Sequence, residues 1–145
     1  MTPCRTGAVP VGDHVPEFLP GERGRKVTVR MLLDHTSGIE DYIADAFPSL
    51  RQGTTASLDD HRLRTIRPAE LIGYAVARPQ RFEPGTRWSY SNTSYVLLGE
   101  ILRKVTGQDP ERLITRDVIR RAGLRDTYFE GPAAVSPALP AAATR

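Results

Sequence analysis

Apolar residues recur at helical spacing in four stretches of the chain, and Pro, Gly or a hydroxyl residue stands at most of their ends. Thr28 is placed to cap a helix from Val29 to His35, with Leu32 and Leu33 on its apolar side and Thr36-Ser37-Gly38 stopping it. A short helical piece is expected over 41–46. Residues 52–67 are polar and charged and read as a loop. Pro68 suits the first turn of a helix reaching Arg78, with Leu71, Ile72, Ala75 and Val76 facing inward and Pro79 ending it. Glu83-Pro84-Gly85-Thr86 is a turn signature. Asn92 is placed to cap a helix running to Thr106. Tyr95, Leu98, Leu102 and Val105 form its buried stripe, Glu100 and Lys104 an i,i+4 pair, and Gly107 its end. Asp109-Pro110 opens the last helix, with Leu113, Ile114, Val118 and Ala122 apolar and Gly123 closing it. Thr127-Tyr128-Phe129 reads as a short strand.

Outside these stretches the pattern breaks down. Residues 1–13 carry Pro and Gly without periodicity and read as a flexible leader, and 14–21 as an extended or turn segment ended by Pro20-Gly21. Residues 131–145 are rich in Ala and Pro and read as a disordered tail. That leaves one domain over 14–130. The pattern is mainly α with long ordered loops, and 145 residues suffice to bury a core.

Composition narrows the picture only slightly. The net charge of +3 is small, scattered and almost all arginine, with lysine only at Lys26 and Lys104, so it does not point to nucleic acid. A single Cys4 excludes an internal disulfide. No apolar run is long enough to span a bilayer, and the N-terminus lacks the apolar core of a secretory signal. Localisation is left open.

The candidate chemistry lies in Tyr90-Ser91-Asn92, where a turn runs into a helix. A tyrosine can move a proton and an asparagine amide can hold a substrate amide, which suits acyl transfer. A free phenol is ionised only about one part in a thousand at neutral pH, so such a tyrosine needs cationic neighbours to act as a base. Asp59-Asp60-His61 has no second cluster at ligand spacing, so no metal or other cofactor is expected. His35 reads as a structural residue, Trp88 as a packing anchor, and Arg112, Arg116 and Arg120 as a solvated face.

Taken together, Leu32-Leu33-Asp34-His35-Thr36-Ser37-Gly38-Ile39, Phe82-Glu83-Pro84-Gly85, Tyr90-Ser91-Asn92-Thr93-Ser94-Tyr95, Leu98-Gly99 and Thr106-Gly107 resemble the serine hydrolases of the class C β-lactamase and D-alanyl-D-alanine carboxypeptidase family. Residues 122–129 resemble the exit from one of that family's helices, and 14–21 the segment after its nucleophile helix. The resemblance implies that Tyr90 is the catalytic general base and acid and that Asn92 binds the substrate's amide carbonyl, while Ser91 points elsewhere. It implies an amide, ester or D-Ala peptide substrate for the complete enzyme, and complete family members are often exported.

Two family motifs are missing from the sequence. Arg23 precedes Lys26 and Ile101 precedes Lys104 by three residues, so no Ser-x-x-Lys occurs. Lys104-Val105-Thr106-Gly107 has one residue too many for a Lys-Thr-Gly strand, and His35-Thr36-Ser37-Gly38 one too many for His-x-Gly. The resemblance therefore implies the middle fragment of the family's α/β fold, its helical subdomain without most of the sheet. Such a piece is expected to be inactive alone. The alternative is a non-catalytic binding or scaffold module that pairs with a complementing chain.

Overall fold

A computed structural model of the chain describes residues 18–61 and 63–129. Two compact units divide it, one ending at Gln108 and the other beginning at Asp109. The boundaries expected near residues 13 and 130, and the leader and tail beyond them, lie outside the described residues.

The first unit is helical: α1 Gly21–Lys26, α2 Val29–Leu33, α3 Ile43–Ala46, a 3-10 turn Pro48–Gln52, α4 Ala56–His61, α5 Pro68–Val76 and α6 Asn92–Thr106. Thr28 caps α2 as expected, its hydroxyl accepting the Met31 N–H at 3.3 Å. Pro68 occupies the first turn of α5, and Gly107 ends α6 with φ 66°. Two elements depart from expectation. Gly21–Lys26, read as following a turn, is a helix whose Arg23 guanidinium donates to the Val76 and Arg78 carbonyls at 3.0 and 3.1 Å. It thereby satisfies the C-terminal end of α5, where helix carbonyls lack partners. The stretch expected as a loop over 52–67 contains α4, which Ser57 ties back to Ser49 through hydroxyls 2.6 Å apart.

The core is built from Leu19, Val27, Leu32, Ile39, Ile72, Ala75, Leu97 and Ile101, with α6 packed on α2 and α5. Helix α6 ends at Thr106 as read but begins one residue early, with Ser91 at the cap position, and its buried face differs from the expected one. Thr93, Ser94, Leu97 and Ile101 are buried, whereas Tyr95, Leu102 and Val105 are 53, 40 and 56% exposed. The period of 3.6 was legible; the phase was not, because α6 carries two apolar rows and the inner one begins with hydroxyl residues.

Asp45 in α3 accepts from Arg78 after α5, at 3.1 Å to Nε and 2.6 Å to Nη2, and is also paired with Arg51. The Arg78 hydrogen bonds, aided by the nearby guanidinium charges, hold its carboxyl below the ordinary value of 3.8. A lowered folded value makes the ionised form part of the fold. The contribution is fully present above the ordinary value and is lost as pH falls through the lowered one. Asp45→Asn is therefore expected to lower the urea midpoint slightly at pH 7 and to flatten its decline below about pH 4. Parallel midpoint-against-pH curves for the two proteins would argue against this role.

The second unit opens as read, with Asp109 accepting the Glu111 N–H at 2.9 Å and Pro110 starting α7 Pro110–Ile114. The helix then widens into a π-turn over Thr115–Ile119, and Gly123 follows with φ 68°. Of the expected apolar face, Val118 is 54% exposed, and the buried residue is Ile119. The extra residue of the π-turn shifts the inward position. Residues 127–129 form no strand and are exposed, there being no neighbouring strand among the described residues to take their backbone bonds.

Candidate active site

Two segments far apart in sequence build the site. The α2 helix ends at Asp34, and His35 follows with φ 61°, a left-handed conformation that glycine usually supplies. The turn is closed by Thr36 N–H donating to the Met31 carbonyl at 2.9 Å and to the Asp34 carboxylate at 3.2 Å. From there residues 35–38 run beside 81–89 in the opposite direction. Ser89 N–H donates to the His35 carbonyl at 3.0 Å, Gly85 N–H to Thr36 at 2.8 Å and Arg81 N–H to Gly38 at 2.9 Å. Gly38 has φ 71°, and a Cβ there would sit 2.3 Å from the Phe82 carbonyl oxygen, so only glycine allows this approach.

The imidazole of His35 explains why a non-glycine residue is held at positive φ. Its ring lies 4.5 Å from the Tyr90 ring and 5.2 Å from the Tyr95 ring, tilted to both. Its Nδ1 accepts the Ser91 N–H at 3.3 Å. An accepting Nδ1 places the ring proton of neutral histidine on Nε2. The structural role read from the sequence is the one found. Trp88, by contrast, is no packing anchor: it is 66% exposed and touches His35 edge-on, with centroids 6.3 Å apart.

Under the tyrosine lies a polar floor. Ser91 and Thr93 hydroxyls donate to the Glu40 carbonyl at 3.2 and 2.8 Å, Tyr42 N–H donates to Thr93 at 3.1 Å, and Ser37 and Ser94 hydroxyls meet at 3.3 Å. Ser37, Ser91, Thr93 and Ser94 are all buried. Each satisfies its hydroxyl inside the fold, as a buried polar group must. Ser91 therefore points away from the surface, and neither it nor Ser37 is presented as a nucleophile.

Tyr90 and Asn92 stand above this floor. Tyr90 is 54% exposed, and its hydroxyl donates to Asn92 Oδ1 at 3.2 Å. Asn92 is the first residue of α6, not its cap; the N-cap is Ser91, and no side chain bonds there. The Asn92 amide nitrogen instead donates to Asp41 Oδ2 at 2.8 Å, and Asp41 Oδ1 accepts the Ile43 N–H at 3.1 Å. Tyr42 adjoins this group. Burial first, then the negative charge of Asp41 and the nearby Tyr90, pushes its phenol above the ordinary value of 10.0 and keeps it neutral. Sequence reasoning picked out Tyr90 and Asn92 but not Asp41, Tyr42 or the hydroxyl floor. The one available signal was the run of small hydroxyl residues on what would otherwise be the inner face of α6.

No group of three His, Cys, Asp or Glu side chains among the described residues is placed to hold a metal ion. No helix among them is long and apolar enough to cross a membrane.

Comparison with known proteins adds the following. A beta-lactamase family model matches residues 8–145. Penicillin-binding protein 4* of Bacillus subtilis is 34% identical over 122 residues, which cover 79% of this chain and 24% of that protein. A D-aminopeptidase of Cereibacter sphaeroides is 33% identical over 113 residues, covering 77% of this chain and 20% of that protein. The chain thus spans between a fifth and a quarter of the length of these curated relatives. Among solved structures, a D-stereospecific amidohydrolase from a Streptomyces species aligns with a TM-score of 0.73 at 36% identity, over 83% of this chain and 36% of that one.

Proposed function

The chain belongs to the beta-lactamase family, as a helical subdomain of its α/β fold, and from that premise we propose that it carries the tyrosine and asparagine of an acyl-serine hydrolase. The observation that carries this reading is the Tyr90–Asn92 pair: a half-exposed phenol bonded at 3.2 Å to the side chain that opens α6. In the proposed reaction Tyr90 takes the proton of a serine hydroxyl while that oxygen attacks an amide or ester carbonyl. It then gives the proton to the departing nitrogen or oxygen, leaving an acyl-serine ester that water hydrolyses. Asn92 holds the amide carbonyl of the substrate. Relatives named D-aminopeptidase and D-stereospecific amidohydrolase support a substrate of D configuration.

The serine, its lysine and the Lys-Thr-Gly or His-x-Gly strand come, in this proposal, from segments with which the chain is completed. An ammonium from that side supplies what the phenol needs to ionise, and it faces the second lone pair of Asn92 Oδ1. The chain by itself is expected to take no covalent label from a fluorescent penicillin and to release no product from a p-nitrophenyl ester. Ser37 and Ser91 spend their hydroxyls inside the fold, and Ser89 accepts from Arg81 at 2.6 Å. Stoichiometric labelling of any of the three, located by peptide mass, would overturn the assignment.

A second reading, a non-catalytic module that pairs with a partner chain, is favoured by the outer row of α6, where Tyr95, Leu102 and Val105 stay exposed. Completion with nucleophile-bearing segments separates the two. Restored acylation supports the hydrolase; assembly without acylation supports the module.

A further inference from the structure

We propose that Asp41 is a positioning residue that sets which way the Asn92 carboxamide faces, and so which of its atoms is left for a ligand. The inference rests on the reading of Asn92 as the carbonyl-holding side chain. A carboxamide has two nearly isosteric ends, one donating and one accepting, and it takes the orientation its neighbours demand. With its phenol protonated Tyr90 makes no demand, because a hydroxyl donates to an oxygen or accepts from an N–H equally well. Asp41 does, because an ionised carboxylate only accepts. Its Oδ1 is engaged by the Ile43 N–H at 3.1 Å, and Oδ2 faces the Asn92 amide at 2.8 Å. A flipped amide would set two acceptor oxygens against each other at that distance.

The consequence reaches both ends of the pair. With the nitrogen held on Asp41, Asn92 keeps one N–H unspent, the donor that a substrate carbonyl needs. Its Oδ1 turns to Tyr90. Before it ionises, the phenol donates inward to that Oδ1 and keeps its own lone pairs outward. With the amide reversed, Tyr90 would accept from Asn92, and the oxygen end would meet the region from which a carbonyl is to be bound. Asp41 thus acts through Asn92 and touches no reacting atom. The anchoring is short-range in sequence on one side, through Ile43, and joins the 35–43 segment to the start of α6 on the other.

The test reads the orientation itself, in the chain as it stands. In the 15N-labelled protein, the Asn92 side-chain amide is expected to show one proton slow to exchange with solvent, with no strong cross-peak to the Tyr90 ring. In Asp41→Ala that protection is lost, and cross-peaks to the Tyr90 ring protons appear. Should the loss of the Ile43 contact unfold Asp41→Ala, Asp41→Asn decides. It keeps the shape but offers both a donor and an acceptor, so two sets of Asn92 signals are expected. A single unchanged orientation in a folded variant overturns the proposal. A second arm separates this result from the functional reading. In protein completed with the nucleophile-bearing segments, Asp41→Asn is expected to lower kcat/KM for an amide about tenfold or more, as misplacing a substrate-holding group does. If the amide turns in the spectra while turnover is unaffected, the role of Asn92 fails and that of Asp41 stands.

Discussion

Gly38→Ala is expected to destabilise the unit ending at Gln108 by about 3–5 kcal/mol, the sum of a non-glycine residue at positive φ and of overpacking against a fixed neighbour. The neighbour is the Phe82 carbonyl oxygen, 2.3 Å from where the new methyl must lie. It cannot swing away as the end of a side chain can, because Arg81 N–H is bonded to the Gly38 carbonyl at 2.9 Å. Relief therefore means parting the segments that carry His35 and Tyr90. Against a domain stability of about 5–15 kcal/mol, such a loss leaves much of the protein unfolded at modest denaturant. Gly53→Ala is the control: φ is again 71°, but nothing lies within 4 Å of the new Cβ. It is expected to cost only about 1–2 kcal/mol, the conformational part alone. Urea titration of the two variants measures the difference. Equal losses would mean that the approach of Phe82 contributes nothing.

Tyr90→Phe is the variant with the largest expected effect on chemistry. In protein completed with the segments that bear the serine and its lysine, it is expected to slow acylation by about 100-fold or more, the loss typical of a positioned proton carrier. The ring and its 4.5 Å contact with His35 remain, and the hydroxyl lost is half-exposed with one protein partner, Asn92. The thermal midpoint should therefore barely move. That separation makes the variant informative: a rate unaffected by the substitution would reduce Tyr90 to a ring packed on a histidine. Single-turnover labelling gives the acylation rate directly, free of product release.

Much of the helical frame was legible in the sequence, and the reasons are local. Thr28, Pro68, Gly107 and Asp109-Pro110 mark helix ends through their own backbone chemistry, so four helix ends fell where expected. What was illegible depends on contacts that no local pattern encodes. The phase of α6 is one case, since its buried row opens with Thr93 and Ser94, which belong inside only because Glu40, Tyr42 and Ser37 meet them there. Asn92 is another: its side chain suits a cap equally well, and Asp41 draws it elsewhere across 51 residues of sequence. The π-turn over Thr115–Ile119 is a third, because one inserted residue rotates the inward face without changing the composition. Tyr90 and Asn92 were singled out through the family resemblance of the segments around them, and the structure places both at the mouth of one helix.

The two segments that make the site are joined by a long excursion, and that has a consequence for how the chain can change over time. Between Ile43 and Gln80 the path passes through α3, α4 and α5, yet among the described residues only α5 contributes to the core, with Ile72 and Ala75. The cost of bringing the ends together grows only with the logarithm of the intervening length, about 0.6 kcal/mol for each doubling. Leu63 is 93% exposed and Arg64, Thr65 and Arg67 after it are exposed too, so residues added there displace none of those side chains from the core. Insertions in this stretch between α4 and α5 are expected to be tolerated, while 35–38 and 81–89 are held in register by backbone bonds and Asp41 is tied to Asn92 by a side-chain bond, so those segments admit no change of length.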